Sequence, residues 1–198
     1  MELNINSAKL TPAKMVALGQ QFPKATASAL NRTAQQAKTE ASRLVRERYN
    51  IKKSDLDRGI KPGKRATAQT LTASVRASGR RPALIDFGAR GSMPARRKTV
   101  GVSVEVVKGR RLNVAGSFLA IMKSGHRGVF VKSWKKPLRR EKRIRDGKQY
   151  TTQLPIEELT GPSVPQMFFS QKVYGKLKQF VNDALPKNLA SAINFMKK

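Results

Sequence analysis

Cysteine is missing altogether, histidine and tryptophan occur once each, and acidic residues number 12 against 41 lysines and arginines. Without cysteine there can be no disulfide and no thiolate metal ligand, which suits assembly in a reducing cytoplasm. With His126 as the only histidine, a two-histidine zinc site is impossible, and any Ser/His/Asp arrangement would rest on that one side chain. His126 lies between Gly125 and Arg127, and its plainer reading is a loop histidine hydrogen-bonded to backbone. No apolar run reaches the roughly 18 residues of a membrane-spanning helix, and the N-terminus lacks the basic-then-apolar design of a secretory leader. The phosphate-cradling GxxxxGKS/T and the dinucleotide GxGxxG are absent, and Gly88-Ala89-Arg90-Gly91 reads as a turn. Glu157 and Glu158 are adjacent, so in a strand they point to opposite faces, a poor geometry for paired-carboxylate chemistry. Pairing of one of them with a basic neighbour across a subunit interface is the better reading. No catalytic residue, cofactor or metal is expected, and the chain reads as a non-enzyme.

Positive charge is what the chain has in abundance. Its formal net charge is +29 at pH 7 and its isoelectric point is about 11.4. Such a chain must find polyanions, acidic protein surfaces, or both. At that charge it binds nucleic acid loosely in low salt whatever its purpose, so composition by itself assigns no DNA-binding role. Apolar residues make up 39% of the 198 positions, enough for one domain with a real core or a domain with helical extensions.

Residues 1–7 form a short lead that either pairs as an edge strand or stays loose. Thr11 as cap and Pro12 at the first position open a short helix over residues 11–22, which Pro23 ends or kinks. Residues 24–49 are strongly helical, with Ala27, Leu30, Ala34, Ala37, Ala41, Leu44 and Arg48 spaced three and four apart. This stripe of small residues lets the backbone approach a sheet or another helix closely, as an intramolecular core face or between subunits. Arg43, Arg46 and Arg48 complement the helix dipole at its end. Residues 50–63 read as a linker holding one short helix over 55–60, capped by Ser54. The period then changes to two. A half-buried strand is expected over 71–77, a shorter one over 83–87, and a loop over 88–98 that includes Arg96, Arg97 and Lys98. Val100, Val102, Val104 and Val106 alternate, and Lys108-Gly109 turns the chain into 110–114. Residues 118–122, read as strand or helical turn, and 129–132 follow. Short turns between four to six strands flanked by helices indicate an antiparallel α+β fold, with N-terminal helices packed on the sheet and a C-terminal helix. One compact domain is expected, with a helical region over 1–63, a sheet region over 64–162 and a second helical region over 163–198.

Residues 132–148 form a very basic loop. Nine cations (Lys132, Lys135, Lys136, Arg139, Arg140, Lys142, Arg143, Arg145 and Lys148) stand against Glu141 and Asp146, so nine minus two gives +7. A segment of this charge stays mobile until something anionic orders it. Trp134 and Tyr150 flank it and are able to stack on bases or anchor a protein partner. Two readings stand: contact with DNA or an acidic subunit surface, or a solvated loop folded over the sheet edge with Trp134 beneath it.

The most prescriptive backbone lies after that loop. Pro155, Pro162 and Pro165 fix φ and remove donors, while Gly161 supplies freedom before Pro162, so a strand-to-helix corner is expected with Ser163 as N-cap. A helix follows through Val164, Met167, Phe168, Tyr174, Leu177, Val181, Ala184 and Leu185, weakened at Gly175. Pro186 is expected to stop it, with one more short helix over 188–196.

Three of these segments carry a resemblance. Ala29-Leu30-Asn31-Arg32-Thr33-Ala34, the run Ser117-Phe118-Leu119-Ala120-Ile121-Met122-Lys123-Ser124-Gly125-His126-Arg127-Gly128-Val129-Phe130, and the stretch from Leu154-Pro155-Ile156 to Gly161-Pro162-Ser163-Val164-Pro165-Gln166-Met167 resemble the prophage minor tail protein Z family of tailed bacteriophages. The likeness spans roughly residues 25–168, with the motifs in the same order. It implies a structural virion protein that completes the tail near the end that joins the head, with no catalytic residues. It also implies tail tube and tail terminator subunits as partners, double-stranded DNA in the path, and a closed homo-oligomeric ring. The competing expectation is a free basic nucleic-acid-binding protein acting by counterion release, though no helix-turn-helix, zinc or RNA-recognition motif is present.

Overall fold

The computed structural model describes residues 1–6, 21–91, 101–132, 142–145, 148–151 and 156–196. The chain divides into two compact units, one formed by residues 1–80 and 162–198 and the other by residues 81–161. Taken together they make an antiparallel α+β chain: the described α-helices all fall in the first unit, while the second is antiparallel strands with one 3-10 turn.

In the first unit, strand β1 (Glu2–Asn6) precedes the long helix α1 (Gln21–Arg48), helix α2 (Lys53–Gly59), and strands β2 (Ile60–Pro62) and β3 (Thr72–Ala77). The sheet order is β1-β3-β2, antiparallel throughout, so the N-terminal lead is an edge strand. Register sets Leu3 opposite Val75 and Ile5 opposite Ala73, and all four are buried. The other face carries Glu2, Arg76 and Lys61 in cross-strand register, where Arg76 Nε donates to Glu2 Oε1 at 2.7 Å. Helix α1 packs on this sheet, and its stripe of Ala27, Leu30, Ala34, Ala37, Ala41 and Leu44 is buried. The stripe is therefore a core face within the chain. Pro23 falls in the opening turn of α1 as described, inside the helix rather than ahead of it. The helix expected over 11–22 otherwise lies outside the described residues. Helix α2 starts two residues earlier than the sequence suggested: Lys52 occupies its N-cap without a side-chain bond, and Ser54 lies inside it.

The strand-to-helix corner is present. Helix α3 (Val164–Phe168) begins at a capping box in which Ser163 Oγ accepts from the Gln166 N–H at 3.4 Å and the Ser163 N–H donates to Gln166 Oε1 at 2.9 Å. Helix α4 (Gln171–Met196) then runs unbroken through Pro186. Two expectations are corrected here, the stop at Pro186 and the separate helix over 188–196. An interior proline removes one hydrogen bond and costs about 3 kcal/mol. Packing along α1 holds the helix on both sides of it, since Val181, Leu185 and Leu189 are buried. Buried Asn188 adds bonds from Nδ2 to Thr33 Oγ1 at 2.9 Å and to Gln36 Oε1 at 2.7 Å.

The second unit is built on strands β4 (Val102–Val107), β5 (Arg110–Val114), β6 (Ser117–Ile121), β7 (Arg127–Lys132), β8 (Lys142–Arg145), β9 (Lys148–Thr151) and β10 (Ile156–Glu158). One antiparallel sheet has the order β10-β7-β6, while β4–β5 and β8–β9 are two-stranded ribbons. Residues 118–122, open between strand and helical turn in the sequence, are strand, and Phe118 stands opposite Phe130 with ring centroids 6.3 Å apart. Residues 83–87 are not a strand. Ala83 makes an isolated bridge to Thr160, and Leu84–Phe87 form a 3-10 turn. Spacing by three explains the change: Leu84 and Phe87 stack on one side of such a turn, and both are buried. The expectation of a structureless loop over 132–148 is also corrected, because residues 142–145 pair with 148–151.

Candidate functional site

Strand β7 delivers Lys132, its last residue, to the exposed end of the three-stranded sheet, where its Cα partner is Ile156. The ribbon collects four further cations. Register places Lys142 opposite Thr151, Arg143 opposite Tyr150, Ile144 opposite Gln149 and Arg145 opposite Lys148. Because strand positions alternate between faces, positions 143, 145, 148 and 150 share one face and 142, 144, 149 and 151 the other. Register thereby places Arg143, Arg145, Lys148 and Tyr150 on one face of the ribbon and Lys142 on the other. Arg96, Arg97, Lys98, Trp134, Lys135, Lys136, Arg139 and Arg140 lie outside the described residues.

The β4–β5 ribbon offers a second surface. Its turn needs Gly109, whose φ is 76°, and Gly109 N–H donates to Glu105 Oε1 at 2.9 Å. Arg111 holds the ribbon to the preceding turn by donating to Gly88 O at 3.2 Å, and ties β5 to β4 by donating to Ser103 O at 3.4 Å. Leu112 is left 48% exposed. With Ile121 at the end of β6, Ile156 in β10 and Phe195 near the end of α4, it belongs to a set of large apolar side chains turned to solvent. These four were not singled out as contact residues in the sequence. Their only signal is an apolar residue at a position whose neighbours in the pattern are polar.

His126 is held by a carboxylate rather than by backbone. Its Nε2 lies 2.8 Å from Glu158 Oε1, and its ring meets Phe130 edge-on with centroids 6.4 Å apart. A Cβ at Gly128 would come within 2.7 Å of the same carboxylate oxygen and 2.9 Å of the Phe130 ring, so only glycine leaves room for the pair. The turn before it is closed by Gly125 N–H to Met122 O at 2.9 Å and Met122 N–H to His126 O at 2.8 Å. Glu158 thus pairs within the chain, where the sequence suggested an intersubunit partner for one of the two glutamates. The cluster fastens β10 to β7 and presents no nucleophile beside a base.

The earlier motif is equally structural. Asn31 grips the backbone of one residue, donating from Nδ2 to Ala66 O and accepting at Oδ1 from the Ala66 N–H, both at 2.9 Å. Thr33 Oγ1 donates to Ala29 O at 2.8 Å while accepting from Asn188. On the outer face of α1, the Arg43 hydrogen bond holds the Glu40 carboxyl below the usual carboxylate range against the opposing effect of burial. Among the described residues no group of three or more histidine, cysteine, aspartate or glutamate side chains could hold a metal ion, and no helix is long and apolar enough to cross a membrane.

No curated protein and no solved structure matches the chain. The family model described as prophage minor tail protein Z does, over residues 13–197. That span reaches into both units and includes every motif on which the resemblance rested. The chain therefore belongs to the prophage minor tail protein Z family and is a structural protein of the phage virion, working among the other proteins of the tail.

Proposed function

We propose that this protein is a tail-completion subunit that acts near the head-proximal end of the tail. There it contacts tail tube and terminator subunits, and its basic segments face acidic neighbours or the DNA path. The observation that carries this reading is how the motif residues are used. Asn31, Thr33, His126, Gly128, Glu158 and Ser163 are all engaged in holding the fold. A chain that commits its motifs to shape works by presenting that shape, so the protein is a non-enzyme whose chemistry is complementarity. Exposed Leu112, Ile121, Ile156 and Phe195 supply apolar contacts for neighbours, and the cations supply attraction to acidic surfaces. Assembly takes place in the host cytoplasm, and a closed homo-oligomeric ring is the form that suits a cylindrical tail.

Deleting the gene in the parent phage or prophage tests this directly, with electron microscopy of the particles and a plaque count. Tails that remain unjoined, or that join but fail to deliver DNA, are the expected result. Infectious particles of normal appearance would sink the proposal. A wash of assembled tails in high salt separates it from the free nucleic-acid binder that the +29 charge also allows. An integral subunit stays and an electrostatic passenger leaves.

A further inference from the structure

Three cavities in the first unit lie in a row where α1 and α4 meet. The first, of about 170 Å³, lies between residues 28–32 and 188–195. The second, of about 620 Å³, lies between 36–40 and 180–188, and the third, of about 270 Å³, between 44–48 and 172–176. Positions advance along α1 as they retreat along α4, so the two helices run antiparallel, and Asn188 borders the first two cavities at once. On each helix the lining positions recur in steps of three and four, which keeps them on one side. The row is therefore a single groove, about 30 Å long at 1.5 Å per residue. We propose that this groove receives an amphipathic helix with acidic flanks from another protein of the tail. The inference rests on the tail-completion reading and names the surface that such a neighbour covers.

Shape, apolar content and charge select that occupant. A seam of this length between two helices fits a third helix, whose anchors three and four residues apart follow the row. Along α4 the groove offers Phe180, Ala184, Ala192 and Phe195, apolar positions at helical spacing. The first three are half-buried, and Phe195 is 81% exposed. A nucleic-acid duplex has no use for aromatic anchors set beside carboxylates, and Glu40, Glu47 and Asp183 line the groove. Two of these are already partnered, Glu40 by Arg43 at 2.6 Å and Glu47 by Lys176 at 3.6 Å. Arg32, Lys172 and Lys187 also line it and make no ion pair among the described residues, against Asp183 as the one such carboxylate. The unpaired excess is positive. A helix flanked by glutamate or aspartate therefore fits better than a second copy of a chain whose net charge is +29.

The test places a photo-crosslinking residue in the full chain as Ser191→benzoylphenylalanine, at an exposed position on the groove, and illuminates tails assembled with it. A control carries Asn182→benzoylphenylalanine, exposed and outside all three cavities. Position 191 is expected to form an adduct with a net acidic segment of another tail protein that carries apolar residues three and four apart, and position 182 to miss that segment. An adduct to a second copy, to DNA, to residues 7–20 of the same chain or to a segment of other chemistry would overturn the inference, as would no adduct at all. A second measurement needs no label. Lys187→Glu with Ser191→Arg alters the groove, and Lys178→Glu with Asn182→Arg makes the same charge change at exposed positions outside it. The groove variant is expected to bind tails from a phage lacking the gene about tenfold more weakly or worse, as for loss of a central contact. The control is expected to bind as the wild type does, with Tm unchanged in both. Equal weakening in the two variants would overturn the inference in favour of diffuse charge, and a Tm drop confined to the groove variant would do so in favour of a groove filled within the chain. Absence of the chain from tails would remove the tail-completion reading itself, whereas the other failures remove only this groove.

Discussion

Gly161 shows how much a single position can decide. Its N–H donates to Pro82 O at 2.8 Å, and a Cβ there would overlap the ring of Phe87, a side chain with no exposure at all. In the sequence this glycine read as a source of backbone freedom. The structure gives it a different reason, which is space for the ring. Gly161→Ala is expected to destabilise the second unit by about 1–3 kcal/mol through overpacking, read as a lower denaturation midpoint. Adding Phe87→Leu reshapes the obstructing side chain, so the double variant should lose less than the sum of the two single losses. Strict additivity would mean that the ring and the missing methyl do not compete. Asn188 belongs to the same scale. Its place next to Pro186 made it look like the start of a new helix, yet its buried amide ties α4 to Thr33 and Gln36 on α1.

At the scale of elements, what was legible in the sequence followed how strongly the period was written. The alanine stripe of α1 repeats over about five turns, so its helix and its buried face could be read directly. The alternating valines of β4 and the Lys108-Gly109 turn were legible for the same reason. Three readings failed because a local rule was applied without its tertiary context. A proline at position 186 stops a helix that lacks support, but α4 is held on both sides of it by buried Val181, Leu185 and Leu189. Residues 83–87 alternate poorly and space their two buried side chains by three, which a 3-10 turn accommodates. In the basic segment, charge density hid the pairing of 142–145 with 148–151, and the strands read as loop. The candidate surface was therefore visible as a list of cations but not as a face, because a face needs register. Helix α4 also gives a test. Pro186→Ala restores a donor inside the helix and is expected to stabilise the protein by about 1–3 kcal/mol, raising Tm by roughly 2–4 °C per kcal/mol. A fall in Tm would instead show that the proline itself stabilises α4 where it packs along α1.

For the molecule as a whole, charge is the dominant fact. The sequence holds 41 cations and 12 anions, so at least 41 minus 12, or 29, cannot be paired within the chain. The described ion pairs are few and exposed, such as Arg43 with Glu40, Arg76 with Glu2, and Lys176 with Glu47, and pairs of that kind contribute little. Self-repulsion therefore outweighs local attraction, and the folded state carries a cost that screening relieves. The Debye length falls from about 30 Å at 0.01 M to about 10 Å at 0.1 M ionic strength. Tm is accordingly expected to rise over that interval, the reverse of a protein held by surface ion pairs. A short DNA duplex at low salt should raise Tm further by binding the native state, and the gain should disappear at high salt. A Tm that falls with added salt would place the balance with the ion pairs. A rising Tm has a consequence for assembly, because each anionic neighbour met in the tail would relieve the same repulsion. Docking would then stabilise the subunit's fold, and the finished tail would supply the counterions that the free chain lacks.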